Sequence, residues 1–101
     1  MSKVEQAISA YYSYKEKQSS DTAREYRRYV QNFNEYLNKH TDATLFDCHS
    51  GHVEDFYQWM LEGEYSPSCV RTAHSGIRGF YNSLSDFAGK RGFPDIQVDN
   101  P

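Results

Sequence analysis

Apolar residues recur every three or four positions in four stretches of the chain, and no stretch alternates between apolar and polar as a strand would. This pattern predicts a first helix over about Lys3–Lys17 and a second over about 19–40. A third, shorter helix is predicted over about 50–61, and a fourth begins at Ser66. An all-α domain, built as a compact four-helix bundle, is the fold that the pattern favours.

The apolar positions of the four helices also predict which side chains form the core. In the fourth helix they are spaced by three or four positions over five intervals, which is the clearest periodicity in the chain. The residues expected in the core are Val4, Ala7, Ile8, Tyr11, Tyr14, Tyr26, Val30, Phe33, Leu37, Val53, Phe56, Tyr57, Met60, Val70, Ala73, Ile77, Phe80, Leu84 and Phe87.

Polar residues and glycine mark the predicted ends of the second and third helices. Residues 19–21 offer capping oxygens to the second helix, and Thr22 with Glu25 has the spacing of a capping box. Ser50 is expected to cap the third helix, and Gly63 is expected to end it.

The fourth helix is expected to begin with Ser66 as its N-cap and Pro67 at the first helical position, where the missing N–H is harmless. The tail from Gly89 onward contains two glycines and two prolines, which is typical of a linker or turn. We therefore divide the chain into a helical domain over residues 1–91 and a linker over residues 92–101.

The composition agrees with a folded domain. A chain of 101 residues supports one small domain with one modest core. Its mean hydropathy of -0.88 would by itself be compatible with disorder, but disordered chains lack an aromatic content of 9 Tyr, 6 Phe and 1 Trp. Aromatic side chains bury large areas, so they can build a core where aliphatic residues are scarce.

The chain carries no feature of a secreted or membrane protein. Its N-terminal stretch has no apolar signal sequence, and no segment approaches the roughly 18 apolar residues of a membrane span. Cys48 and Cys69 are far apart in the sequence and are expected to be free thiols in a reduced, cytoplasmic protein.

Charge is distributed unevenly along the chain, although the net charge is -3. The segment 41–65 contains six acidic residues and no Lys or Arg, so a locally positive surface can exist elsewhere. The second helix has three arginines within five positions on its polar side, with almost nothing acidic beside them. The fourth helix carries a single polar stripe, free of acids, at i, i+4, i+7 and i+11. This helix-four stripe consists of Arg71, Ser75, Arg78 and Asn82.

Two interpretations of these basic surfaces stay open on pattern alone. Every bundle helix has a polar face, and a solvated surface is the more common reason for a basic cluster. Arg, Asn, Gln and Ser are nevertheless the side chains that contact phosphates and base edges.

No enzymatic site, metal site or cofactor site is predicted from the residues. Cys48, His49 and His52 lie close together, and Cys69 and His74 could join them, but their spacing matches no common zinc pattern. The chain contains no phosphate-binding glycine loop and no nucleophile elbow. We expect no cofactor, no small-molecule ligand and no catalytic residue in this chain.

Two stretches resemble a known family. The stretch SSDTAREYRRYVQNFNEYL resembles the motif that opens the second helix of the N-terminal core-binding domain of tyrosine recombinases, the phage integrases. The stretch SPSCVRTAHSGIRGFYNSL resembles the motif of the fourth helix in the same domain. The matching residues are Ser19, Thr22, Tyr26, Val30, Phe33, Tyr36 and Leu37 in the first stretch, and Ser66, Val70, Ser75, Ile77, Arg78, Phe80 and Tyr81 in the second. The closing Asn100-Pro101 is similar to the pair that commonly leads into the catalytic domain.

The resemblance implies a SAM-like orthogonal bundle that clamps duplex DNA while a following domain catalyses strand exchange. It also implies that the second and fourth helices face the DNA, mainly through phosphate contacts, and that other recombinase protomers are partners. The residues expected to contact DNA are Thr22, Arg24, Arg27, Arg28, Gln31, Arg71, Ser75, Arg78 and Asn82.

The chain departs from the family pattern at the fourth helix. Cys69 stands where Thr is usual and His74 where Leu is usual, while Thr72 and Ala73 occupy positions that are often arginine. With so few phosphate contacts, we expect weak DNA binding that is sensitive to salt.

A helical protein-interaction module with no DNA role is the alternative. In that case an aromatic surface made of Tyr12, Tyr29, Tyr36 and Trp59 would dock a partner, and the arginines would only be solvated.

Overall fold

The computed structural model describes the backbone of residues 3–91 and the side chains of residues 3–83. This part of the chain forms four helices and no strand, which confirms the predicted all-α, four-helix architecture. The helices are α1 (Lys3–Glu16), α2 (Ser20–His40), α3 (Ser50–Glu62) and α4 (Pro67–Arg91).

The long helix α2 lies at the centre of the bundle. It packs against each of the other three helices, and α4 also contacts α1 and α3. The amphipathic pattern of α2 explains its position, because Val30, Phe33 and Leu37 are all fully buried on one side.

The core contains most of the residues that were predicted for it and several that were not. Val4, Tyr26, Tyr57 and Val70 are only partly buried against the core, and Tyr14 is exposed, contrary to the prediction. Leu84 and Phe87 lie outside the described side chains. The buried core residues are Ala7, Ile8, Tyr11, Ala23, Tyr29, Val30, Phe33, Leu37, Leu45, Cys48, Val53, Phe56, Met60, Ala73, Ile77, Phe80 and Tyr81.

Tyr81 on α4 is hydrogen-bonded to the segment that connects α2 and α3. Its hydroxyl donates a hydrogen bond to the carbonyl oxygen of Leu45 at 2.7 Å and lies 3.1 Å from the Cys48 thiol. Leu45 and Cys48 are themselves buried, so this connection contributes to the core as well as linking two helices. Burial raises the pKa of both the Tyr81 phenol and the Cys48 thiol, so both groups stay neutral.

The helix N-termini are capped by side chains, although not always by the predicted ones. Ser19 caps α2 by accepting a hydrogen bond from the backbone N–H of Thr22 at 3.3 Å, and the pair Thr22–Glu25 lies inside the helix instead of capping it. Ser66 caps α4 as predicted, because its hydroxyl accepts from the N–H of Cys69 at 3.2 Å.

The prediction that Ser50 caps α3 was wrong. The N-cap is His49, whose ring accepts a hydrogen bond from the N–H of Gly51 at 3.1 Å. The ring of His52 in turn accepts from the N–H of His49 at 3.1 Å, which completes a reciprocal capping box built from two histidines.

The helix α3 ends at Gly63, as predicted, and the left-handed conformation falls on the next residue. Gly63 is the C-cap but has a negative φ of -89°, and Glu64 adopts the positive φ of 75°. The backbone N–H of Tyr65 donates a hydrogen bond to the carbonyl oxygen of Met60 at 3.0 Å. In a Schellman motif this is the 6→1 bond, which joins residues five positions apart.

The C-terminal tail begins later than the composition predicted. The helix α4 continues through Gly89 and ends at Arg91, so the first residues of the predicted linker or turn are helical. The proposed linker over residues 92–101, with Asn100-Pro101, lies outside the described residues.

Candidate nucleic-acid interface

The arginines at the start of α2 are exposed and paired with acids. The guanidinium of Arg24 forms an ion pair with Asp21, and that of Arg28 lies 3.5 Å from a carboxylate oxygen of Glu25. The side chains of all four residues are half or more exposed. The expectation of almost nothing acidic beside these arginines was therefore wrong, because an acid three positions earlier reaches the same side of a helix.

The third arginine of α2 is turned towards α1. The guanidinium of Arg27 lies 4.2 Å from the centre of the Tyr12 ring, in a cation–π contact, and its side chain is half-buried. Gln31 is exposed and lines the same groove between α1 and α2, together with Glu5. Arg27 and Gln31 thus lie on the α1 side of the polar face that also carries Arg24 and Arg28.

Thr22 occupies the first turn of α2, where its backbone N–H is used by the Ser19 cap. Its side chain is half-buried, in contrast to the exposed Arg24.

The helix-four stripe has a different electrostatic setting. Its members Arg71, Ser75, Arg78 and Asn82 are all exposed. Within residues 3–83, neither Arg71 nor Arg78 has an ion-pair partner, whereas both exposed arginines of α2 have one. Their positive charge is therefore available to an external anion.

A close contact between backbones joins α2 to α4. A Cβ atom placed on Gly76 would lie only 3.1 Å from the Cα of Tyr26, so the glycine allows the two helices to approach. The hydroxyl of Tyr11 on α1 donates to the carbonyl oxygen of Gly76 at 3.0 Å, which ties α1 to the same point.

A second link joins α2 to the beginning of α4 through polar groups. Arg28 donates to the Tyr29 hydroxyl at 3.2 Å, and that hydroxyl is hydrogen-bonded to the thiol of Cys69. The hydroxyl of Ser66 donates to the same thiol at 3.4 Å. These hydrogen bonds from Ser66 and Tyr29 lower the pKa of the Cys69 thiol.

The sequence matches one protein family over most of its length. The profile of the family described as phage integrase, N-terminal SAM-like domain, matches residues 3–87. The chain belongs to this family. No curated protein and no solved structure gives a significant match.

Membership of the integrase family confirms the resemblance read from the two motifs and indicates a role related to recombination. In this family the SAM-like domain is separate from the catalytic domain. Among the described residues, no helix is long and apolar enough to cross a membrane.

A shallow hollow between α3 and α4 lies at the edge of the helix-four stripe in this integrase-family domain. Its lining consists of Tyr57, Val70, Arg71, His74 and Ser75, and we call it the α3–α4 hollow. The hydroxyl of Tyr57 lies 3.2 Å from Nδ1 of His74, which is half-buried. Sequence reasoning did not include Tyr57 or His74 in the site; the signal was a histidine where the family usually has leucine.

The four aromatic residues of the predicted protein-docking surface do not form one surface. Tyr29 is buried between α2 and α4, and Tyr12 packs against Arg27. Tyr36 and Trp59 do lie together, with ring centres 5.5 Å apart, and Trp59 is 41% exposed. Only half of the predicted aromatic surface is therefore present as a cluster.

Two of the four histidines have a structural role in the integrase-family domain, and both cysteines are free. His49 and His52 cap α3, and Cys48 and Cys69 are free thiols, as expected. Within the described residues, no group of three His, Cys, Asp or Glu side chains could hold a metal ion.

Proposed function

We propose that this chain is the DNA-binding domain of a site-specific tyrosine recombinase or integrase, and that it grips duplex DNA through the polar faces of α2 and α4. The observation that carries the proposal is the helix-four stripe, which is exposed and free of acids in a domain of the integrase family. Unpaired arginines suit phosphate because the guanidinium presents a planar fork of donors that matches two phosphate oxygens.

The contacts are mainly to the phosphate backbone. Arg71 and Arg78 supply charge, and Ser75 and Asn82 supply neutral polar groups beside them. On α2, Arg24 and Arg28 break their ion pairs with exposed carboxylates and bind phosphate instead. The remaining proposed contacts on α2 come from Thr22, Arg27 and Gln31. Exposed ion pairs are worth at most about 1 kcal/mol, so this exchange is feasible.

The chemistry of strand exchange belongs to a following domain in this proposal. Residues 1–91 form the core-binding domain, and residues 92–101 lead into the catalytic domain. Other recombinase protomers are partners when the full protein assembles on its site, and the protein works in the cytoplasm, where its DNA substrate lies. We assign no catalytic residue and no cofactor to this chain.

The test is a titration of the purified chain with duplex DNA at low salt. Binding should weaken with added salt, with log Kd rising by about 0.9 per tenfold change in salt for each phosphate contact. Backbone amide NMR signals of α2 and α4 should shift. If the signals of α2 and α4 do not move with duplex DNA at low salt, the proposed mechanism is wrong.

The link to a catalytic domain has its own test in the downstream reading frame. An arginine, a His-x-x-Arg motif and a later tyrosine, in that order, would support the recombinase assignment. A reading frame without them would instead favour a stand-alone or accessory DNA-binding protein.

The alternative function is a helical module that binds protein. One observation favours it: Trp59 is exposed within an aromatic cluster with Tyr36 and His40, beside the exposed Tyr65. This alternative predicts an association that persists at high salt, is lost in W59A and does not respond to DNA.

A further inference from the structure

The α3–α4 hollow combines an apolar wall with a polar rim. The ring of Tyr57 and the side chain of Val70 supply carbon surface, and Arg71, His74 and Ser75 supply polar groups. Two of these polar residues belong to the helix-four stripe, so the hollow continues the proposed DNA face towards α3.

His74 extends the stripe by position as well as by chemistry. It stands three residues after Arg71 and four before Arg78, and side chains at these spacings are neighbours on a helix. Its Nδ1 is engaged by Tyr57 at 3.2 Å, with the two rings edge to face and 5.7 Å apart. Within the described part of the chain, the other ring nitrogen, Nε2, has no hydrogen-bond partner.

The direction of the hydrogen bond with Tyr57 determines whether Nε2 donates or accepts. Burial raises the pKa of the Tyr57 phenol, so its hydroxyl keeps its proton and can donate to Nδ1. A neutral imidazole that accepts at Nδ1 carries its proton on Nε2. When the ring is protonated, Nδ1–H donates to the Tyr57 oxygen instead, and Nε2 still carries a proton. Nε2 is therefore a hydrogen-bond donor when Tyr57 donates to Nδ1 and when the ring is protonated, and it is an acceptor only in the tautomer that carries its proton on Nδ1.

We propose that the α3–α4 hollow holds one sugar–phosphate unit of duplex DNA, with His74 donating from Nε2 to a phosphate oxygen and Tyr57 positioning the ring. This inference rests on the proposed function and adds a contact that the stripe alone does not contain. The deoxyribose carbons pack on Val70 and Tyr57, and the phosphate lies against Arg71 and Ser75.

The chemistry of the rim favours the backbone over a base edge. Arg71 and, in this arrangement, His74 are donors only, and Ser75 can donate as well. A phosphate group presents only acceptors, whereas base edges in the major groove present donors and acceptors in patterns that depend on sequence. The hollow should therefore bind duplexes of different sequence equally well.

The experiment compares the 101-residue chain with H74L, H74Q and Y57F, using fluorescence anisotropy on two labelled duplexes of unrelated sequence at low salt. H74L should weaken binding about fivefold on both duplexes, as expected for one hydrogen bond to a charged acceptor. H74Q keeps a donor and should bind within about twofold of the unchanged chain, and Y57F should lose about twofold to threefold. H40L, a His-to-Leu change at the end of α2, is the matched control and should bind normally.

A spectroscopic measurement separates positioning from a purely structural role. Long-range ¹H–¹⁵N NMR should show Nδ1 of His74 as an acceptor in the unchanged chain, and this signature should weaken in Y57F. Addition of duplex DNA should shift the Nε2 signal of the unchanged chain. A histidine that only holds α3 against α4 would show no such shift. If H74L does not fold, Y57F and the Nε2 shift decide the question.

The outcomes distinguish this inference from the proposed function. Absence of binding to either duplex by the unchanged chain would overturn both. Weakened binding by R71A, with normal binding by H74L and Y57F and an unmoved Nε2 signal, would overturn only the sugar–phosphate site. A loss in H74L on one duplex but not the other would also overturn it, because His74 would then read a base.

Discussion

The two helices proposed to face DNA carry the same kind of residue in opposite electrostatic settings. On α2, Arg24 and Arg28 are each held by an acid three residues earlier, whereas Arg71 and Arg78 on α4 have no ion-pair partner within residues 3–83. An arginine that is already paired must give up a carboxylate before it can grip a phosphate. An unpaired arginine exchanges only water for the same contact, so α4 should contribute more to DNA affinity than α2.

The paired arginines contribute to the helix instead. An i, i+3 ion pair stabilises the first turns of α2 by a few tenths of a kcal/mol. The negative charge of Asp21 stabilises the helix further, because it lies near the positive end of the helix dipole. The same side chains therefore serve helix stability in the free domain and phosphate contact in the bound one. The following predictions test this division from the largest expected effect to the smallest.

The contact that holds the two helices together should be the most sensitive point. In G76V the new side chain meets the Cα of Tyr26, where a Cβ alone would lie at 3.1 Å, and rigid backbone cannot move aside cheaply. We expect a loss of about 3 kcal/mol in the free energy of unfolding, measured with urea. S68V, an exposed change on the same helix, should cost less than about 0.5 kcal/mol. Equal stability of G76V and the unchanged chain would show that the close approach of α2 and α4 is not required.

Removal of the unpaired charges on α4 should have the largest effect on DNA binding. The double variant R71A/R78A should bind about 30- to 150-fold more weakly at low salt, because each lost contact is worth about 1 to 1.5 kcal/mol. The slope of log Kd against log salt should fall by about 1.8. K39A, at the other end of α2, is the control for loss of a positive charge, and an equal loss there would refute a specific role for the stripe.

The paired arginines of α2 should matter less. We expect R24A/R28A to weaken binding about three- to tenfold, because the gain of a phosphate contact is offset in part by the ion pair that must break. The free energy of unfolding of the same variant, measured with urea, should fall by less than about 1 kcal/mol. A loss as large as that of R71A/R78A would mean that the ion pairs do not compete with DNA.

Removal of the competing acids should have a small effect of opposite sign. In D21N/E25Q the arginines are released, and we expect DNA to bind about twofold more tightly at low salt. The free energy of unfolding should fall by about 0.5 kcal/mol, because the helix loses an acid in its first turn and two ion pairs. E54Q, at an exposed acid on α3, should leave affinity nearly unchanged and serves as the control. Weaker binding by D21N/E25Q would contradict competition between acid and phosphate.

Much of the fold follows directly from the periodicity of the chain. The spacing of Val30, Phe33 and Leu37 requires a buried side of α2, and Ser66 before Pro67 defines the start of α4. These features are local, because side chains three or four apart meet on one face whatever the helix packs against. Membership of the integrase family could also be read from the order of two such local motifs.

The candidate site was predicted only in part, because its electrostatics depend on pairing. The exposure of Arg71 and Arg78 was expected from the helical pattern. The ion pair between Arg28 and Glu25 was not expected, although their spacing allows it, because rotamers decide whether an i, i+3 pair forms.

Tertiary packing decided the roles of the tyrosines. Tyr29 was placed on an exposed aromatic surface from its position in α2, but α4 covers it, and its hydroxyl joins Arg28 to Cys69. Tyr14 was placed in the core but is 42% exposed. A helical wheel shows which residues share a side but not how wide a side the neighbouring helices bury.

The sequence by itself determined the four helices, most of the core and the two basic surfaces, because all of these depend on residues close together in the chain. Only the tertiary structure brought Gly76 against Tyr26, Tyr57 against His74 and Tyr81 against the connection that contains Leu45. Each of these contacts joins residues that are far apart in sequence, and their spacing carries no periodic signal. The physical reason is that close packing selects one arrangement of the helices, and this arrangement fixes which polar groups meet.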